Sequence, residues 1–253
     1  MGKVKSASQA VFSNERSRMI VSFCIPAFNE EALIVNCIKS IQRAACNVDH
    51  EIIVVDNGST DNTTTLAKNA GAIVYFEPNK GITRARQAGL NHCSSDLISF
   101  VDADSELPED WLEHALTAIK PLDVVAASGP VIYYELALHK RLFSFVFYCF
   151  ARVIHIWKPM LQGGNFILRK QALLDAGGFN TSIDFYGEDT DTAIRLSKQG
   201  KVVFDMDMWV YTSARRMQKE GMIRTGFRYF INYVWMYLSG EPWTVEHYDH
   251  RPK

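Results

Sequence analysis

Neither sign of charge dominates this chain. Its 27 Lys and Arg face 28 Asp and Glu, a formal net charge of -1 with histidine neutral. That removes the basic surface on which nucleic-acid binding depends, so no nucleic-acid partner is expected. There is no G-x-x-x-x-G-K-[ST] loop and no G-x-G-x-x-G turn after the first strand-like run, which disfavours ATP handling by a phosphate loop and NAD binding by a glycine turn. The five cysteines (Cys24, Cys37, Cys46, Cys93, Cys149) form no C-x-x-C pair and are odd in number, and the seven histidines lack zinc spacing. Reduced, mostly buried thiols in a cytosolic protein are the expectation. His247 and His250 read as part of an exposed polar tail rather than a metal pair. Residues 1–18 are polar, without the apolar centre of a secretory signal, and read as a flexible arm. The longest apolar stretch, Leu142–Trp157, carries Arg152 and His155 and is too short to span a bilayer. It is strongly aromatic, and two readings stay open: a buried helix, or a helix lying in the bilayer interface or gripping a lipid-bearing substrate. No Pro-, Gly- or Ser-rich linker and no internal repeat divides the chain.

What is present is a core and a rhythm. Apolar residues make up 47% of the chain, enough for a sizeable interior. Strand-like runs at Ile20–Ile25, Glu51–Val55, Ala72–Phe76, Leu97–Val101 and Val124–Ala127 alternate with helical patterns at Glu30–Ala44, Asp61–Ala70 and Ile82–Cys93, and with one opened by Pro108. In the first helix Leu33, Ile34, Cys37, Ile38 and Ile41 share a face. The alternation predicts an α/β fold with a mostly parallel, doubly wound sheet and helices on both faces. Right-handed crossovers then gather the carboxyl ends of the strands on one edge, where such folds bind ligands. After about residue 130 the rhythm weakens. Residues 19–130 are expected to form a nucleotide-binding half, and residues 131–253 an acceptor-binding half of the same domain.

Asp102-Ala103-Asp104 ends the buried run Leu97–Val101. Two carboxylates one residue apart at such a strand end suit Mg²⁺ or Mn²⁺, an ion that a site of this kind shares with phosphate oxygens. A solvated strand-end turn is the alternative. Asp56-Asn57-Gly58-Ser59-Thr60-Asp61 also links a strand to a helix. Asp56 can accept hydrogen bonds from a base or ribose, and Gly58 permits a tight turn and close approach of a ligand. Ser59, Thr60 or Asp61 can cap the helix that follows. Asn79-Lys80-Gly81 through Arg86 opens a helix whose free N–H groups and cations suit a diphosphate.

Taken in order, Pro26-Ala27-Phe28-Asn29-Glu30-Glu31, Glu51 through Asp61, Asn79-Lys80-Gly81 through Arg86, Asp102-Ala103-Asp104 and Gly187-Glu188-Asp189 resemble the inverting glycosyltransferases of family 2, which have the GT-A fold. The resemblance implies a sugar transfer from a nucleotide-diphosphate sugar, with UDP-sugars ahead of GDP-mannose, to an acceptor hydroxyl. It implies that Pro26, Ala27, Phe28, Asn29 and Glu30 line the base and ribose, with Glu30 a ribose partner. Asp56 is then a base ligand, Gly58 and Gly81 lie beside the nucleotide, and Arg86 sits near the base or diphosphate. Asp104 becomes the more direct ligand of Mg²⁺ or Mn²⁺, with Asp102 nearer the ribose and Ala103 between them. Asp189 matches the general base and Glu188 its neighbour in the acceptor site, while Gly163-Gly164-Asn165 resembles the loop beside donor sugar and acceptor. Many relatives supply a further metal ligand, often histidine, downstream. Here the comparable stretch, Trp209 through Arg216, has none, and Arg215 or Arg216 is expected at the diphosphate. A saccharide or lipid-linked acceptor, a role in cell-envelope or glycoconjugate synthesis, and a cytoplasmic protein with peripheral contact to the inner face of the plasma membrane through Leu142–Trp157 complete the expectation. Two alternatives remain: a sugar nucleotidyltransferase, against which the Pro26–Glu30 segment stands in place of a phosphate loop, and a non-catalytic carbohydrate- or nucleotide-binding relative, against which Asp104 and Asp189 are both present.

Overall fold

The computed structural model describes residues 21–244, and the side chains of all of these but 138–145. The arm at 1–18, Ile20 and the His247/His250 pair lie outside the described residues. The first half is a run of strand–helix units: β1 (Val21–Ala27), α1 (Ile34–Ala44), β2 (His50–Asp56), α2 (Thr63–Asn69), β3 (Ile73–Phe76), α3 (Ile82–His92) and β4 (Leu97–Val101). Then come β5 (Ser105–Glu106), α4 (Trp111–Ile119), β6 (Val124–Ser128), β7 (Val131–Tyr133) and α5 (Leu138–His155). The chain continues through β8 (Asn165–Arg169), α6 (Lys170–Asp175), α7 (Glu188–Leu196), β9 (Lys201–Phe204), β10 (Val210–Thr212), α8 (Arg215–Glu220) and α9 (Met222–Ser239).

Seven strands form the main sheet in the order β3-β2-β1-β4-β8-β6-β9. Side chains alternate across it, as a pleated strand requires. Phe23, Ile25 and Val54 enter a core with α1 and Trp111 of α4, while Cys24, Ile53 and Val55 enter a second core with Ala85 and Leu90 of α3, Leu173 of α6 and Ala193 and Leu196 of α7. β1 and β4 are buried throughout, the pattern of strands covered on both faces. The expected α/β sheet with helices on both faces is therefore present. The five cysteines are free, and Cys24, Cys37 and Cys93 are buried.

Three differences from the sequence reading have local causes. First, α1 begins at Ile34, not Glu30, because Asn29 takes a left-handed φ of 52° and the Glu30 carbonyl accepts the N–H groups of both Leu33 and Ile34, closing a turn. Second, β8 runs antiparallel to β4 and β6, so its amino end, not its carboxyl end, lies at the ligand edge, with Asn165 opposite Val101. Third, β5, β10 and β7 form a separate three-stranded sheet whose strands are two or three residues long, too short for periodicity to register. That small sheet ties Thr212 to Ser105 and so brings the start of α8 beside Asp104.

Candidate active site

At the ligand edge β1 and β2 end side by side, with Ala27 paired to Asp56. Asp56 is buried, and its Oδ1 accepts the Ser59 N–H at 3.0 Å, which shapes the turn. Asn57 stitches neighbouring loops together: its Nδ2 donates to the carbonyls of Glu77 and Asn79, and its Oδ1 accepts the Gly81 N–H at 2.8 Å. This brings Lys80 over Phe28, with Nζ 3.3 Å from the ring centroid and 3.1 Å from the Gly58 carbonyl. Phe28, Gly58, Lys80 and Gly81 thus share one corner of the edge.

The second cluster is built on Arg86. It sits one turn inside α3, 1% exposed, with Nη1 donating to Glu188 Oε1 at 2.5 Å and Nη2 to Asp102 Oδ1 at 3.0 Å. One guanidinium therefore joins the end of β4 to the first turn of α7. Burial works against its charge, but Glu188 and Asp102 outweigh that and hold its pKa above the ordinary arginine value. Gly164 lets the β4 end and the β8 turn approach: at φ +75° a Cβ there would lie 2.2 Å from the Asp102 carboxylate, so no larger residue fits. Gly187, at φ +83°, starts α7 in the left-handed conformation, and a Cβ would sit 2.7 Å from Met236 Cγ of α9.

Glu188, Asp189 and Asp191 fill the first turn of α7, where acidic groups favour the helix dipole. Asp189 Oδ2 accepts the Gly163 N–H at 3.3 Å, and Oδ1 accepts the N–H and hydroxyl of Thr190. Burial raises the Asp189 carboxyl above its ordinary value, against the hydrogen bond from Thr190 and the charge of Arg86. Burial likewise pushes Glu188 up to about 8, with Arg86 opposing and Asp189 adding to the rise. Glu188 Oε2 is buried without a hydrogen-bond partner among the described residues.

The third cluster is built on Arg215, at the start of α8. Its Nη2 donates to Glu30 Oε1 at 2.8 Å, to Glu30 Oε2 at 2.9 Å and to Asp104 Oδ2 at 2.9 Å. Arg216 points elsewhere, donating to the Tyr229 hydroxyl at 2.8 Å and lying 4.1 Å over the Phe185 ring. The donor set here is hard carboxylate oxygen, which fits Mg²⁺ or Mn²⁺ held by one or two carboxylates and completed by phosphate oxygens and water. Asp104 and Asp102 are the residues that would hold it. Among the described residues no three His, Cys, Asp or Glu side chains group as a metal cage.

One cavity of about 360 Å³ joins these clusters. Pro26, Phe28, Glu30, Arg86, Asp102, Ala103, Asp104, Gly163, Glu188 and Asp189 all line it. Ala27, Asn29, Asp56, Gly58, Gly81 and Gly164, expected at the nucleotide or sugar, do not line it; they belong to the loops and strand ends beside it. Asn165 departs from the expectation of a place beside the sugar. It is fully buried, its Nδ2 donating to the carbonyls of Pro130 and Met208 and its Oδ1 accepting from Trp111 Nε1, so it anchors the turn from beneath. The far wall comes largely from the two aromatic stretches of the sequence, Leu142–Trp157 and Phe227 through Tyr237. Tyr148, Phe150 and Ile154 of α5 and Met222, Phe230 and Tyr233 of α9 stand there. Their aromatic runs were the available signal, but only the packing shows that they face the cavity.

The family model of glycosyl transferase family 2 matches residues 22–177, more than half of the chain. The chain belongs to glycosyl transferase family 2. As a member of that family it is a transferase enzyme. It is 27% identical over 238 residues to an uncharacterised glycosyltransferase of Rickettsia prowazekii, covering 87% of this chain and 75% of that one. It is 32% identical over 133 residues to the lipopolysaccharide core biosynthesis glycosyltransferase LpsC of Rhizobium meliloti, covering 51% of this chain and 45% of that one. The chain thus spans under half of the Rhizobium relative's length. The fold resembles the mannosyltransferase PcManGT of Pyrobaculum calidifontis in complex with GDP-Man and Mn²⁺, with a TM-score of 0.70 at 19% identity over 88% of this chain and 65% of that one. It also resembles the glucosyl-3-phosphoglycerate synthase of Mycobacterium tuberculosis in complex with Mn²⁺, UDP and phosphoglyceric acid, with a TM-score of 0.64 at 19% identity over 87% of this chain and 78% of that one. These neighbours identify the GT-A fold.

Proposed function

We propose that this family 2 transferase moves a sugar from a nucleotide-diphosphate donor, a UDP-sugar ahead of GDP-mannose, to the hydroxyl of an amphiphilic, lipid-linked acceptor, with inversion at the anomeric carbon. The observation that carries the reading is the single cavity onto which both the Asp102–Asp104 pair and the Glu188–Asp189 pair open. One pair suits the diphosphate, the other the acceptor. Asp189 takes the proton of the acceptor hydroxyl as that oxygen bonds to the anomeric carbon, and the nucleoside diphosphate departs from the opposite face with the bonding electrons. A base positioned in this way contributes about 10²–10⁴-fold. The raised carboxyl of Asp189 makes it a stronger base than an ordinary aspartate. Glu188 Oε2, buried and unpartnered, is a site for a ligand hydroxyl. A Mg²⁺ or Mn²⁺ ion bound at Asp104 would neutralise charge developing on the leaving diphosphate.

The acceptor class follows from the far wall. The same cavity that holds Asp189 is apolar along α5 and α9, and those two helices also carry exposed apolar side chains: Phe150 on α5, with Ile156 and Trp157 just past its end, and Phe227 and Leu238 on α9. An amphiphile fits such a slot with its hydroxyl at Asp189 and its chain along the helices. No helix among the described residues is long and apolar enough to cross a membrane. The exposed faces suit peripheral contact with a bilayer instead, as aromatic side chains do at interfaces. The test is release of UDP or GDP from a panel of nucleotide sugars with Mn²⁺, with soluble sugars or lipid-linked sugars as acceptor. Release that requires a lipid-linked acceptor supports the reading, and equal release with soluble sugars removes the lipid from it. Sedimentation with anionic liposomes checks the membrane contact, and its loss in Phe150→Ser/Trp157→Ser with unchanged nucleotide binding locates it.

A further inference from the structure

Glu30 and Asp104 stand at the ends of different strands, yet one nitrogen of Arg215 reaches both, at 2.8 and 2.9 Å. Two carboxylates turned towards the same partly buried space repel each other unless a cation lies between them. The position of this cation is built into the fold. Ser213 Oγ and the Ala214 N–H are held by Glu135 at 2.7 and 2.6 Å, and the Ser213 N–H donates to the Asp104 carbonyl at 3.2 Å. Glu30 is fixed from its own side, its N–H donating to Thr63 Oγ1 at 2.8 Å. Both arginines line the cavity, but Arg86 is only 1% exposed whereas the Arg215 side chain is 25% exposed. It holds the Asp104 oxygen that a divalent ion would need, and its planar fork is also suited to phosphate oxygens.

We propose that Arg215 is a resident, exchangeable cation of the donor site: it balances Asp104 and Glu30 when the site is empty, competes with a divalent ion for Asp104, and turns to the diphosphate when donor arrives. Arg215 therefore weakens binding of the ion alone and strengthens binding of the nucleoside diphosphate, so that ion and donor load together. This rests on the reading of the cavity as a nucleotide-sugar site.

The experiment measures MnCl₂ binding alone by the electron paramagnetic resonance of free Mn²⁺. It also measures UDP and GDP binding by calorimetry, in EDTA and with Mn²⁺. For Arg215→Gln the expected result is Mn²⁺ binding tightened about tenfold and nucleoside diphosphate binding in EDTA weakened by about tenfold or more, the scale of removing one partner of a hydrogen-bonded charge pair. Opposite signs are the signature, because a merely structural role would weaken both. Arg215→Lys, which keeps the charge without the fork, should fall between. It also serves if the glutamine variant does not fold. Unchanged or weaker Mn²⁺ binding in Arg215→Gln overturns the proposal, as does tight Mn²⁺ binding to the nucleotide-free wild-type protein. If the wild-type protein binds neither UDP nor GDP in the presence of Mn²⁺, the donor-site reading itself falls.

Discussion

Two arginines each hold two carboxylates at the same sheet edge, yet their surroundings differ. Arg86 is 1% exposed and ties Asp102 to Glu188, while Arg215, with 25% of its side chain exposed, ties Asp104 to Glu30. The first pair of contacts crosses from β4 to α7, elements packed into the second core, and although both carboxylates line the cavity the guanidinium between them is enclosed. The second crosses the mouth of the cavity and meets solvent. Identical side-chain chemistry thus serves as framework where it is enclosed and stays available to ligands where it is open, because the cost of leaving a charge unpaired grows as water is excluded.

The largest expected effect separates chemistry from framework inside the Arg86 region. Asp189→Asn should lower kcat by about 10²–10⁴-fold while leaving nucleotide affinity and melting temperature unchanged. Near-normal turnover would remove Asp189 from the reaction. Arg86→Ala should cost about 3–5 kcal/mol in urea unfolding, the range for stranding buried charges. Arg215→Gln should cost less, about 1–3 kcal/mol, because the guanidinium is 25% exposed and water can reach the carboxylates it leaves. Equal losses in the two variants would mean that Arg86 and Arg215 contribute alike to the framework.

The pH dependence sharpens the contrast further. Glu188 rises from 4.5 to about 8 on folding, so between those values the native state binds more protons than the unfolded one. The stability it contributes is fully present below 4.5 and is lost as pH rises through about 8. Glu188→Gln should flatten that slope, measured by melting temperature against pH, whereas Arg215→Gln should leave it in place. The smallest expected effect concerns the raised Asp189 carboxyl: the acidic limb of kcat/KM should lie above the ordinary aspartate range and survive in Arg215→Gln. A limb that moves with Arg215 would mean that the two regions are coupled.

The strand–helix rhythm of the first half was legible because its strands are four to seven residues long and its helices carry apolar stripes, as the burial of Ile34, Cys37, Ile38 and Ile41 shows. Asp102, Asp104 and Asp189 stood out as carboxylates at strand and helix ends, and the structure brings all three onto one cavity. Asn165 was misplaced because a Gly-Gly-Asn turn reads the same whether its amide faces a ligand or the carbonyls beneath it. The sequence left Arg215 and Arg216 as equal candidates for a cation at the site; the pairing of Arg215 with Glu30 depends on a three-stranded sheet of very short strands.

Local sequence by itself determined the fold class, the sheet edge at which the strand ends gather and the kinds of group found there, because periodicity and end-of-element chemistry are short-range properties. Only the tertiary structure decided which carboxylate each arginine holds, which of the two is sealed from water, and that the aromatic helices wall the cavity. Those are contacts between segments far apart in the chain, set by how the antiparallel β8 and the small sheet fold back onto the first half, and no spacing within a single segment encodes them.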